Sequence, residues 1–399
     1  MLQVKKQYSA LFSYIAIFVI LLCLPCSTIF FPTRSYLYLL NVVSVILFLI
    51  LKNQCLDKYG WIYLGCMLLG YCFHRNMKLV FESHLYELFS WCNILCLGYA
   101  LNRKNYKIKK FFFLFMIFFY ISECSICIYE KLSHAYVFNY VTEFQATEGL
   151  ASDYTSGDFR AHGLLNHPLY NANVISIFMA YFLCAKHIVK KQQIALLCLG
   201  AMALWACNSR ASMVVWILIF AYRFFLYKKN IIVIISTVIV AYIILPPLID
   251  YVLNMGFLGR LSSSYDNEFS SLSRMIAFEV FADQNWTWEK IVLGGDIVYY
   301  SNTNVGLENG ILLNLSYWGW IIGSLKTLLE LVITWLFIKR YESGEKLIIL
   351  LAVWGVAFMN NNSFQSFPFL FFLMCNAAFA YITKNNIKNE NQNIICSRV

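Results

Sequence analysis

The chain has 399 residues, is 60% hydrophobic and 18% aromatic, and carries only 13% charged residues with a net charge of +10. Water-soluble domains hold about 25% charged residues, so the composition excludes an ordinary soluble domain and points to an integral membrane protein. The basic excess does not mark a nucleic-acid binder, because the bases fall in alternate short segments between apolar runs, which is the positive-inside pattern. Most of the 14 cysteines lie inside apolar runs and none falls within 250–309, so no disulfide framework is implied. The pairs Cys23/Cys26 and Cys124/Cys127 have CxxC spacing at membrane segments and are read as packing residues.

A membrane-spanning helix needs ~20 predominantly apolar residues. On that measure the fold class is an all-α polytopic membrane protein with twelve spans. They lie near residues 9–26, 35–51, 59–73, 79–101, 110–129, 167–186, 192–208, 211–227, 230–249, 309–338, 345–360 and 364–383. Lys5 and Lys6 precede the first apolar run, but no small-residue cleavage site follows, so that run is expected to be retained as a span. Of the 31 bases, 21 fall in one set of connecting segments and nine in the opposite set, with Lys326 inside a span. Both termini are therefore expected in the cytoplasm, with residues 130–166 and 250–308 facing outward as the two long loops of a single membrane domain. The outward segments also hold most of the acids, among them Glu130, Glu143, Asp158, Asp266 and Glu308, which leaves Arg160, Arg210 and Arg274 as dispersed cations in an acidic surround.

The larger outward loop contains an amphipathic stretch over 270–281, with Leu272, Met275 and Ile276 on one face and a serine able to cap its start. Trp286 and Trp288 suit a membrane interface. Some 60 residues provide too little core to fold alone, so the loop is expected to pack onto the helical bundle.

Three outward constellations have chemical potential. In the first, Phe159-Arg160-Ala161-His162-Gly163-Leu164-Leu165-Asn166-His167-Pro168 places an arginine, two histidines and an asparagine where the chain re-enters the membrane. Arg160 offers a planar fork of donors for phosphate, and a neutral histidine can move a proton. Interfacial anchoring, with Arg160 paired to Asp153 or Asp158, accounts for the same residues. In the second, Asn208-Ser209-Arg210-Ala211-Ser212 is a hairpin so short that Arg210 sits near the bilayer surface, either snorkelling to lipid phosphates or gripping the phosphate of a lipid-linked substrate. The third is Ser273-Arg274, Gly294-Gly295 and then Glu308-Asn309 at the mouth of the tenth span. A carboxylate there can accept a proton from a hydroxyl nucleophile, and helix capping is the plainer reading.

Charges also lie within the spans: Glu82, His84, Glu87, Glu123, and the pair Lys326 and Glu330. Each costs roughly 2.5–3.5 kcal/mol near the bilayer centre, so they are expected to face protein or water. Lys326 and Glu330 stand four residues apart and can pair on one helix face. The sequence contains no Walker P-loop, HExxH or GxSxG and no metal-spaced acid pair at an outward mouth. An enzyme built on these residues is expected to need no metal or cofactor and to use an already activated substrate.

Taken in order, the three constellations resemble the O-antigen polymerase and O-antigen ligase superfamily over roughly residues 155–330. Arg160-Ala-His-Gly-Leu-Leu-Asn-His-Pro followed by Asn171-Ala172-Asn173 looks like that superfamily's re-entry motif, and Asn208-Ser209-Arg210-Ala211 is similar to its Ser-Arg hairpin. The large loop has its shape, from Ser273-Arg274 through Leu293-Gly294-Gly295 to Glu308-Asn309-Gly310 and Trp318-Gly319-Trp320. Many members, the ligases especially, have His-Asn where this chain has Glu308-Asn309, which favours the polymerase side.

The resemblance implies a metal-independent, C-class membrane glycosyltransferase in the bacterial inner membrane. It would join undecaprenyl-diphosphate-linked oligosaccharide repeat units into O-antigen or a related surface polysaccharide at the outer face. Arg210 and Arg274 would stabilise the diphosphate, Arg160 would bind diphosphate or an acidic sugar, and Glu308 would be the base, with His162 and His167 in reserve and Asn309 beside it in the substrate site. Partners would be the lipid-linked glycan, the bilayer and a polysaccharide chain-length regulator, with no nucleic acid. The rival readings are an O-antigen ligase that transfers finished polymer to lipid A-core and, from another class, a polysaccharide flippase or other secondary transporter.

Overall fold

Helical runs of this sequence are too apolar to expose only one polar face, so the question for the tertiary structure is which sides they bury. The computed structural model describes residues 58–73, 106–138, 159–165, 167–186, 188–223, 277–295, 309–359, 368–369 and 371–380, and the regular structure among them is helical, with no strand. The expected spans near 9–26, 35–51, 79–101 and 230–249 lie outside the described residues. The helices are α1 (Lys58–Phe73), α2 (Tyr106–Ser133), α3 (Pro168–Cys184), α4 (Lys190–Cys207), α5 (Arg210–Ala221), α6 (Trp288–Leu293), α7 (Gly310–Trp318), α8 (Trp320–Phe337), α9 (Ser343–Leu350), α10 (Val356–Met359) and α11 (Phe371–Ala380). Two of them contain segments long and apolar enough to cross a membrane, Phe113–Ser133 and Trp320–Phe337.

The centre of the bundle is α3. Pro168 opens it at the first turn, where a missing N–H costs nothing. Every residue from Asn171 to Phe182 is buried, as expected of a helix with no polar face. α2 and α4 flank it, joined through Tyr120, whose hydroxyl donates to the Leu196 carbonyl at 2.7 Å. Phe178 and Phe182 of α3 lie beside Phe119 and Tyr120 of α2, and Phe182 also meets Phe379 of α11.

α8 has inverted polarity. Ile321, Leu325, Leu328 and Trp335 are exposed, whereas Lys326 and Glu330 are completely buried. The ammonium of Lys326 donates to Glu330 Oε1 at 2.7 Å, and Tyr63 of α1 donates to the same oxygen at 2.8 Å. The pairing expected from the four-residue spacing is therefore present, and it faces protein.

The sequence expects one long span over 309–338, but the chain breaks there into α7 and α8. Gly319, at φ +79°, ends α7 and begins α8. A Cβ on Gly319 would lie 2.8 Å from the Gly294 nitrogen and from the Ile291 and Val292 carbonyls, and one on Gly294 would lie 2.0 Å from the Tyr317 carbonyl. Two backbones in contact thus impose the break, a cause that hydropathy cannot register. Gly295 N–H donates to the Ser316 carbonyl at 3.0 Å, and the rings of Phe281 and Trp286 pack on Trp320. The described part of the large loop therefore packs onto the bundle as expected. Of the amphipathic stretch 270–281, residues 277–282 are helical and 270–276 lie outside the described residues.

The two ends of α3 meet different partners. Its N-terminal end adjoins the 159–165 segment and the α4–α5 hairpin. Beyond its C-terminal end, Lys186 pairs with Glu342 and lies 3.5 Å from Glu345, which together form the capping box of α9.

Candidate functional site

The site is built from α2 outward. Glu123, Cys127 and Glu130 are spaced by four and then three residues, so they share one helical face. All three are buried, and that face looks onto the 159–165 segment. A buried carboxylate is costly unless it is met by hydrogen-bond donors. Glu130 Oε2 accepts the His162 and Gly163 backbone N–H groups at 2.8 and 2.9 Å, and Oε1 accepts the Val137 N–H at 3.0 Å. Glu123 Oε2 accepts the Leu164 N–H at 3.0 Å. Two acids on one helix therefore grip three consecutive backbone donors of the re-entry segment.

Other contacts complete the clamp. Lys131 donates to the Phe159 carbonyl at 2.5 Å, and Asn171 donates through Nδ2 to the His162 carbonyl at 2.5 Å. Gly163 sits at φ +53°, and a Cβ there would fall 2.3 Å from Glu123 Oε1 and 2.7 Å from both Asn171 Nδ2 and Cys127 Sγ. The backbone conformation and the close packing both require glycine.

The segment also reaches the second constellation. Ala161 N–H donates to the Ala206 carbonyl at 3.0 Å, and Arg160 Nε donates to the Cys207 carbonyl at 3.4 Å. Asn208 caps α4 in the left-handed region at φ +50°, a conformation asparagine tolerates better than most residues. Ser209 precedes α5, its hydroxyl 2.9 Å from that of Ser212. Arg210 is the first residue of α5. Fifty residues of sequence separate the Arg160 and Arg210 motifs, and the fold places their backbones together.

Each residue singled out from the sequence has a definite place or lies outside the described residues. Arg160 is half-buried beside the hairpin. His162 is buried, its ring centroid 4.4 Å from that of Tyr136. His167 is the N-cap residue of α3, and its ring centroid is 4.5 Å from that of Tyr170. Asn309 caps α7, its Oδ1 accepting the Ile311 and Leu312 N–H groups at 3.1 Å each, which accounts for it by capping. Arg274, Glu308 and Asn166 lie outside the described residues, as does the Arg210 side chain. The structure thus brings together the 159–165 segment and the hairpin.

Sequence reasoning treated Glu123 as an intramembrane charge and Glu130 as part of an acidic outer surface. Glu130 is instead fully buried within α2. The available signal was the seven-residue spacing of two acids on an otherwise apolar helix face. Their partners were hidden because backbone N–H groups leave no mark in a sequence. Among the described residues no cluster of histidine, cysteine and acidic side chains has the arrangement of a metal site.

No family model, curated protein or solved structure matches the chain.

Proposed function

We propose that the protein is a polytopic inner-membrane glycosyltransferase that polymerises undecaprenyl-diphosphate-linked repeat units into O-antigen or a related surface polysaccharide. In this reading twelve spans cross the membrane, both termini are cytoplasmic, and residues 130–166 and 250–308 lie at the outer face. The observation that carries it is the meeting of the Arg160 segment with the Asn208-Ser209-Arg210 hairpin through Ala161–Ala206 and Arg160–Cys207 hydrogen bonds. The Arg160 and Arg210 backbones meet at one end of a helical bundle, where the two guanidinium groups would form a seat for a diphosphate. Arginine keeps its charge at any physiological pH and offers two parallel donors to phosphate oxygens.

The chemistry follows from that seat. The acceptor hydroxyl of one repeat unit attacks the anomeric carbon of another, and the carbon–oxygen bond to the lipid diphosphate breaks. The developing charge on the leaving diphosphate is met by Arg210 and Arg274, preorganised donors being most effective where charge appears in the transition state. Arg160 holds diphosphate or an acidic sugar. Glu308 takes the proton of the attacking hydroxyl, and His162 and His167 stand in reserve. Asn309, as a helix cap, shapes the mouth of that site. A chain-length regulator would act on this same outer face.

The test is the surface polysaccharide ladder from cells lacking the gene, complemented with wild type, Arg160→Ala, Arg210→Ala or Arg274→Ala. The expected result is lipid A-core bearing a single repeat unit in the deletion strain, with the ladder restored by wild type alone. Long polymer accumulating on its lipid carrier with bare core would identify a ligase. An unchanged ladder would overturn both readings in favour of transport or a different glycan.

A further inference from the structure

We infer that Cys127 and Cys207 form a disulfide that pins α2 to α4 directly beneath the 159–165 segment. Both residues are fully buried, and their sulfurs lie 3.9 Å apart although 80 positions separate them in the chain. A disulfide needs its sulfurs at about 2.05 Å, so the two side chains must close ~2 Å between them. In the structure described here both are thiols.

The surroundings favour this pair. Cys127 donates to Glu123 Oε1 at 3.5 Å, and Cys207 points its sulfur at Cys127. The thiolate is the reactive form in disulfide exchange and burial disfavours it, so the exchange belongs to a stage at which Cys127 still meets water, and the finished fold keeps the two sulfurs side by side. Asn171 Nδ2, at 3.7 Å from the Cys127 sulfur, provides a donor to it. The segment above depends on the same atoms: Gly163 packs against the Cys127 sulfur, and Arg160 donates to the Cys207 carbonyl. A bond between these sulfurs would hold together the two helices from which the arginine segment hangs.

The step balances as a thiol–disulfide exchange. The Cys127 thiolate attacks a disulfide of an extracytoplasmic oxidant, expelling one of its sulfurs as a thiolate. The Cys207 sulfur then attacks the mixed disulfide and expels the second. The oxidant leaves as a dithiol holding both protons and both electrons. Because the pair is buried in the finished fold, exchange happens before the 159–165 segment closes over it. The inference rests on the outward placement of residues 130–166 in the reading above, since extracytoplasmic compartments sustain disulfides and the cytoplasm does not.

The experiment is peptide mass spectrometry on the full-length protein, alkylated during denaturation without reductant. Fragmentation of the crosslinked peptide distinguishes Cys127 from Cys124 and Cys207 from Cys198. The expected result is a Cys127–Cys207 crosslink in wild type that disappears in Cys127→Ser, in Cys207→Ser and in a host lacking extracytoplasmic thiol oxidants. It persists in Cys124→Ser and Cys198→Ser. Reductant should lower the melting temperature of wild type and leave Cys207→Ser unmoved, since serine at 207 keeps the carbonyl that Arg160 uses. In parallel, Ala135→Cys, at an exposed position just past α2, reports sidedness through a membrane-impermeant maleimide on intact spheroplasts. Labelling of Ala135→Cys together with alkylated Cys127 and Cys207 would overturn the disulfide and leave the topology standing. Protection of Ala135→Cys until the membrane is permeabilised would overturn the topology and the disulfide with it.

Discussion

Among the described helices that bury carboxylates, α8 and α2 do so in different ways. In α8, Glu330 is met by Lys326 one turn before it and by the Tyr63 hydroxyl. In α2, Glu123 and Glu130 are met by backbone N–H groups of a segment some thirty to forty residues further along the chain. The α8 arrangement is largely contained within one helix and serves the bundle. The α2 arrangement uses its carboxyl oxygens to hold a connecting segment in one shape. A buried charge that is satisfied locally is a structural device, whereas one satisfied by a distant backbone dictates where that backbone, and the arginine it carries, must be.

The sharpest way to probe this contrast is to remove one partner at a time and follow thermal unfolding in detergent. Lys326→Met should destabilise by about 3–5 kcal/mol because it strands a buried carboxylate, and adding Glu330→Leu should recover most of the loss. Failure of the double variant to recover would mean that the ion pair is not self-contained. Glu130→Ala should cost about 1–3 kcal/mol for each of the two buried donors it abandons, at His162 and Gly163. Truncating the side chain at His162 cannot rescue it, because the stranded N–H groups of His162 and Gly163 belong to the backbone. A ladder retained at full length in Glu130→Ala cells would break the link between the clamp and the site.

Smaller effects refine the same comparison. Gly163→Ala forces an L-residue into the left-handed region, at a cost of roughly 1–2 kcal/mol before the contact with Glu123 is counted, and should shorten the ladder. Glu123→Ala exposes one donor, that of the half-buried Leu164, and should be milder than Glu130→Ala. Asn309→Ala should cost about 1 kcal/mol through the lost cap. It should leave polymer length close to wild type when expression is matched, and a severe loss of polymer would give Asn309 a role beyond capping.

By itself, the sequence determined the apolar, helical character, the positions of most described helices to within a few residues, and the Lys326–Glu330 pair. These follow from composition and from spacings of three, four or seven residues, which one strand of text displays. It also marked Arg160 and Arg210 as unusual, since an arginine in an apolar chain is conspicuous. Only the tertiary structure decided that Glu130 lies inside the protein, that α7 and α8 are separate helices, and that the Arg160 segment meets the Arg210 hairpin. Each of those depends on backbone atoms: N–H groups meeting carboxylates, Gly294 against Gly319, and the Ala206 and Cys207 carbonyls receiving donors from residues 161 and 160. Every residue has nearly the same backbone, so contacts made through it are written in three dimensions and not in the order of side chains.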